Sequence, residues 1–66
     1  MPIVLNGKPH DLSGTPTIVE LIDTLKVKAN QVAVAINGEV VRRVNWPQTR
    51  VQDGDAVEIV RAVGGG

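Results

Sequence analysis

Sixty-six residues, 42% hydrophobic and 21% charged, make one small globular domain near the lower size at which a chain folds unaided, so a second domain is excluded. Seven Lys and Arg balance seven Asp and Glu, leaving no net charge to draw the chain to nucleic acid or to an anionic membrane, and a single aromatic residue leaves no stacking platform for RNA. Cysteine is absent, which excludes disulfides and thiolate chemistry, and no apolar run approaches the roughly 18–20 residues of a membrane span. Met1-Pro2-Ile3-Val4-Leu5 lacks the basic start and longer apolar core of a secretory signal, so the expected location is the cytoplasm.

Ile3-Val4-Leu5 is rich in strand formers and runs straight into Asn6-Gly7, a dipeptide that tolerates positive φ at both centres of a type I′ turn. A hairpin is predicted. Its return arm, Lys8-Pro9-His10-Asp11-Leu12, holds a proline that cannot donate to a ladder, which assigns the arm to a sheet edge. His10 on that arm has only Asp11 beside it and reads as a surface histidine, not a base or ligand. Ser13-Gly14-Thr15-Pro16 then breaks the strand.

Thr17-Ile18-Val19-Glu20 has capping-box spacing and predicts a helix over about residues 18–27. Ile18, Leu21, Ile22 and Leu25 recur at i, i+3, i+4 and i+7, so they share a face that must be buried, with Glu20, Asp23 and Thr24 opposite. Lys26 and Lys28 are expected near the helix end, complementing its exposed carbonyls. Ala29-Asn30-Gln31 leads out of the helix.

Val32-Ala33-Val34-Ala35-Ile36 alternates, placing Val32, Val34 and Ile36 toward the core and Ala33 and Ala35 away from it. Asn37-Gly38 is a second hairpin signal, with Glu39-Val40-Val41 as the return strand. Arg42-Arg43-Val44-Asn45-Trp46-Pro47 is expected as a single irregular turn ended by its proline. The arginine pair reads as a solvated face rather than a phosphate site, and Trp46 as a cover for a thin core rather than an interface anchor. Gln52-Asp53-Gly54-Asp55 is a tight turn, and Ala56-Val57-Glu58-Ile59-Val60 alternates so that Val57 and Ile59 face one way and Glu58 the other.

That last strand passes into Arg61-Ala62-Val63-Gly64-Gly65-Gly66. A glycine end presents a carboxylate with no side chain behind it, suited to a narrow active site on another protein, and from Ala62 to Gly66 an extended chain reaches about 16–18 Å. The plainer reading of three glycines alone is a frayed end. No other part of the chain has the parts for chemistry: one histidine, no cluster of metal-ligand types, and no serine with an activating base beside it in sequence. The chain is therefore expected to have no catalytic residue and no bound cofactor or metal of its own. Its own tail is the expected substrate. The element order, hairpin, helix, hairpin and strand, gives an α+β domain in which a mixed sheet of four to five strands clasps one helix.

That order, with Ala35-Ile36-Asn37-Gly38-Glu39-Val40-Val41, Arg43 and Trp46, Val51-Gln52-Asp53-Gly54-Asp55 and the final Val60-Arg61-Ala62-Val63-Gly64-Gly65-Gly66, resembles the ubiquitin-like β-grasp sulfur carriers, and among them the ThiS family of thiamin biosynthesis. Leu5-Asn6-Gly7 and Thr17-Ile18-Val19-Glu20-Leu21 sit where that family has its first turn and helix start. One departure is Arg42, where the family pattern has proline. The resemblance implies a β-grasp body over residues 1–62 and a flexible tail over 63–66. It further implies that a ThiF-like activating enzyme, using ATP and magnesium, adenylylates Gly66, which then becomes a thiocarboxylate with sulfur from a cysteine desulfurase system. A ThiG-like thiazole synthase would receive that sulfur. Gly64, Gly65 and Gly66 would thread into the partner. Ala33, Ala35, Val40 and Val60, on the sheet face away from the helix, together with Arg61 and Val63, would form the docking surface. A carrier for another sulfur pathway, similar to the small subunit of molybdopterin synthase, and a non-carrier β-grasp binding module stand as alternatives.

Overall fold

A computed structural model describes residues 1–61. The strands are β1 (Pro2–Leu5), β2 (Lys8–Asp11), β3 (Val32–Ile36), β4 (Glu39–Val41) and β5 (Ala56–Arg61), with one helix, α1 (Ile18–Leu25), between β2 and β3. They form a single sheet in the order β2-β1-β5-β3-β4. β1 and β5 lie parallel at its centre, while β1–β2, β3–β5 and β3–β4 are antiparallel. This is the mixed sheet clasping one helix that the element order predicts, and the β-grasp arrangement that the resemblance implies. The proline-bearing β2 lies at an edge, where Pro9 needs no second ladder partner.

Both Asn-Gly turns have the positive φ values that a type I′ turn requires: 51° and 81° at Asn6 and Gly7, 53° and 84° at Asn37 and Gly38. The helix starts as its capping box dictates. The Glu20 amide donates to Thr17 Oγ1 at 3.2 Å and the Thr17 amide donates to Glu20 Oε1 at 2.8 Å. The end differs from the expected position near residue 27. Leu25 is the last helical residue, and Lys26 turns left-handed (φ 59°), its amide donating to the Asp23 carbonyl while the Val27 amide reaches Ile22. This paired pattern is a Schellman motif closed without glycine. It takes Lys26 and Lys28 out of the last helical turn, so the expected complement to the helix carbonyls is not formed there.

Ile18, Leu21 and Ile22 are buried against Ile3, Val34 and Val57 of the sheet, with Leu25, Val32, Ile36 and Ile59 half-buried around them. Trp46 closes this core at 3% exposure, its indole N–H donating to the Val41 carbonyl at 2.9 Å. It is a cover, as expected for a core without other aromatics. The turn that carries it is a 3-10 helix over Arg43–Gln48 that continues through Pro47 instead of stopping there. Proline is accommodated because its missing N–H removes one bond of the turn, while the flanking amides of Asn45 and Thr49 still donate to Arg42 and Trp46. Ala29–Gln31 forms another short 3-10 turn. Antiparallel contacts between residues 15–18 and 49–51 hold the helix entrance: the Ile18 amide donates to Thr49, the Val51 amide to Pro16, and Arg50 Nη1 to the Thr15 carbonyl.

Candidate functional site

The strand that leads into the tail, β5, has neighbours on both sides, and two asparagine side chains extend their ladders. β1 pairs with β5 only at Val4↔Ala56 and Leu5↔Val57. Beyond that point the Asn6 side chain continues the strand's role. Its Oδ1 accepts from the Ile59 amide at 2.8 Å and its Nδ2 donates to the Ile59 carbonyl at 3.2 Å. At the other end, Asn37 Oδ1 accepts from the Ala56 amide at 2.9 Å, and its Nδ2 donates to Asp55 Oδ1 at 3.1 Å. Both asparagines therefore set a turn and clamp β5. On its other side β5 pairs with β3 as far as Arg61, opposite Val32. The tail thus departs from a fixed point. Val63, Gly64, Gly65 and Gly66 lie outside the described residues, as does the boundary between the body and tail segments.

The sheet register brings the four expected face residues together. Ala33 stands opposite Val60, and Ala35 stands opposite Val40 on one side and Glu58 on the other. These side chains point away from α1 and line a shallow depression of about 150 Å³. Val40 is 71% exposed and Val60 57%, high for branched apolar residues, while the two alanines keep the surface between them low. Val4 and Ala56, paired across the parallel ladder, extend the same face and were not legible as part of it, because their pairing joins residues from opposite ends of the chain. Glu58 is the charge within the patch. Such a face suits close approach of another protein's backbone or apolar side chains.

On the helix side, a second opening of about 630 Å³ lies between the end of α1 and the end of β5. Leu5, Leu25, Val32 and Ile59 contribute apolar lining, while Lys26, Lys28 and Arg61 supply its charge. Arg61, expected in the partner-binding set, belongs to this groove, so it faces a different surface from Ala33 and Ala35. Arg42 and Arg43 are exposed, and His10 is half-buried opposite Ile3 on β2. Among the described residues no group of three His, Cys, Asp or Glu is arranged to hold a metal ion, and no helix is long and apolar enough to cross a membrane. The site consists of surfaces and a strand end.

Comparison with known proteins gives this arrangement relatives. The crystal structure of the thiamine biosynthesis protein ThiS from Geobacter metallireducens superposes with a TM-score of 0.89 at 43% identity, each chain being covered completely. The sulfur carrier protein ThiS of Escherichia coli is 33% identical over all of both chains, and that of Thermus thermophilus 37% identical over 94% of this chain and 95% of its own. A thiazole synthase from Paramagnetospirillum magneticum is 39% identical over this whole chain, which spans only 20% of that protein. The ThiS family model matches residues 3–66, a span that includes the clamped β5 strand, both Asn-Gly turns and the glycine end, and the chain belongs to the ThiS family.

Proposed function

We propose that the chain is a sulfur carrier of thiamin biosynthesis that supplies sulfur for the thiazole ring and is itself a substrate, not an enzyme. The observation that carries the reading is the family match, which runs from β1 through Gly66 and so takes in the whole of the tail. In the proposed cycle a Gly66 carboxylate oxygen attacks the α-phosphorus of magnesium-bound ATP in an activating enzyme, and pyrophosphate leaves. A carboxylate is a poor electrophile because its charge is shared by two oxygens, and the acyl adenylate replaces that charge with a leaving group. The outer sulfur of a persulfide, drawn from cysteine by a desulfurase system, then attacks the carbonyl carbon and expels AMP, and thiol reductants cleave the resulting acyl disulfide, becoming a disulfide themselves and leaving the thiocarboxylate. The carrier's own contribution is presentation: Gly64, Gly65 and Gly66 pass a narrow entrance, and the Ala33, Ala35, Val40 and Val60 face, with Arg61 and Val63 at the tail root, docks the body.

Thiazole synthase is the proposed acceptor, and the molybdopterin alternative is less favoured for a specific reason. Sequences similar to this chain form part of thiazole synthases from Paramagnetospirillum magneticum and Magnetococcus marinus, where this chain corresponds to 20% of each protein. Joining in one polypeptide raises the effective concentration of a carrier near its acceptor, which is useful only if the two act in sequence.

The test is pyrophosphate release with ATP, magnesium and a ThiF-like activating enzyme. The full chain is expected to turn over, and a chain lacking Gly65 and Gly66 to give background only while melting at nearly the same temperature. Full activity of the truncated chain would remove the reading. Intact-mass analysis of chain isolated from its own cell is expected to contain a species heavier by one oxygen-to-sulfur exchange.

A further inference from the structure

The chain is formally neutral, yet one end of β5 gathers cations alone. At the start of the strand the signs are mixed: Glu39 and Asp55 share an opening with Arg42 and Arg50, and Asp11 pairs with the N-terminal ammonium at 3.2 Å. At the other end, Arg61 finishes the strand and Lys26 and Lys28 stand with it around the helix-side groove. Among the described residues no Asp or Glu lines that groove. Its floor is apolar, from Leu5, Leu25, Val32 and Ile59, and Val27 remains 38% exposed beside it.

Lys26 is held in this place by the backbone. It occupies a left-handed cap position that glycine would fill without strain, and the cap bonds to Asp23 and Ile22 fix the direction in which residues 26 and 27 leave the helix. Lys26 at the helix cap and Arg61 at the end of β5 are thus placed by the fold's own elements.

We propose that this groove receives an acidic segment with an apolar centre, carried by the activating enzyme beside the entrance that admits the tail. The inference rests on the carrier reading for the identity of the partner and on this chain's geometry for the chemistry of the contact. Three cations around an apolar floor, without a carboxylate among them, match aspartates and glutamates flanking leucine-like side chains. The groove ends at Arg61, so a segment seated there stands next to the point from which the tail departs. The opposite end, where carboxylates and arginines are mixed, offers such a segment no comparable match. The cationic rim therefore favours encounters that bring this end of the carrier to the partner first, the form in which electrostatic complementarity chiefly contributes to association.

Two measurements on the full chain test this. In the first, the isotope-labelled chain is titrated with the blocked peptide Asp-Glu-Leu-Leu-Glu-Asp. Amide shifts are expected at Leu25, Val27, Val32 and Ile59, weakening as salt is added and reduced about tenfold in affinity in the Lys26→Glu, Lys28→Glu double variant. Absence of binding, or shifts centred on Ala35 and Val40, would overturn the proposal. In the second, the double variant is assayed for pyrophosphate release with the activating enzyme. KM is expected to rise about tenfold with kcat nearly unchanged, and a salt-insensitive, unaltered KM counts against the groove. A milder variant, Lys28→Gln, should lie between the two if the double reversal perturbs folding. Failure of the unaltered chain to release pyrophosphate removes the carrier reading, and the peptide titration then decides the groove by itself.

Discussion

Asn6 and Asn37 show how much a single side chain can contribute beyond its local role. Each tolerates positive φ in its turn, and glycine would do that as well, but only asparagine also supplies an amide that completes the β5 ladder. Asn6→Gly and Asn37→Gly are expected to keep both hairpins and to cost about 1–2 kcal/mol each, the net value of a pair of hydrogen bonds in a partly exposed setting. The location of the loss separates them: the Ile59 amide should exchange faster with solvent in the first variant and the Ala56 amide in the second. Unchanged protection at those amides would show that the clamps are weak. At Arg42 the expected departure from the family pattern leaves the backbone as a proline would have it, φ −66° and ψ 143°, after a strand residue that tolerates a following proline. Arg42→Pro is therefore expected to raise stability by roughly 0.4–1 kcal/mol in urea unfolding, through a less disordered unfolded chain. A loss would mean that the Arg42 N–H or side chain has a role in the folded state.

At the scale of elements, α1 depends heavily on its first turn. Eight residues are too few to hold a helix by propensity alone, so burial of Ile18, Leu21 and Ile22 and the reciprocal bonds of Thr17 and Glu20 carry it. Thr17→Ala should lower stability by about 1 kcal/mol and leave the sheet amides of β1 and β5 protected, a pattern that hydrogen exchange distinguishes from global loosening. The backbone bridge from Thr17 to Arg50 and the bond from the Ile18 amide to Thr49 do not use the Thr17 side chain, so they persist in this variant and confine the loss to the cap. Equal exposure of the helix and of β1 would indicate that the helix entrance and the sheet open together.

For the molecule as a whole, the two surfaces on opposite sides of the sheet divide the proposed work, one for docking and one at the tail root. The register also decides which substitution probes the open face cleanly. Ala35→Glu would place a second carboxylate directly across from Glu58, so repulsion within the sheet would add to any effect on binding. Val40→Lys avoids this, since Val40 is on the edge strand β4 and 71% exposed. It is expected to change stability by no more than about 0.5 kcal/mol. Affinity for the activating enzyme should fall about tenfold or more, as measured by calorimetry, because a desolvated ammonium would face apolar surface. Full affinity would leave the helix-side groove as the principal contact.

Features that neighbouring residues settle among themselves could be read from the chain before it was folded. Thr17 and Glu20 set the helix start three residues apart, Asn-Gly pairs set both turns, and the alternation in Val32–Ile36 sorted Val34 inward, because these preferences act within a turn of helix or across one hairpin. The glycine end is visible in the sequence, but residue types alone read it as frayed, and its carrier role is a proposal that falls on residues outside the described ones. The tertiary structure decided whatever depends on residues distant in the chain. It ended α1 at Leu25 with a lysine in the left-handed position and carried the 3-10 turn through Pro47 beneath the bond from Trp46 to Val41. It also set β1 parallel to β5, which placed Val4 and Ala56 on the open face and let Asn6 reach Ile59. The gathering of Lys26, Lys28 and Arg61 has the same origin: composition gives only a balanced sum, and where charges stand relative to one another is fixed by packing between segments that no local preference connects.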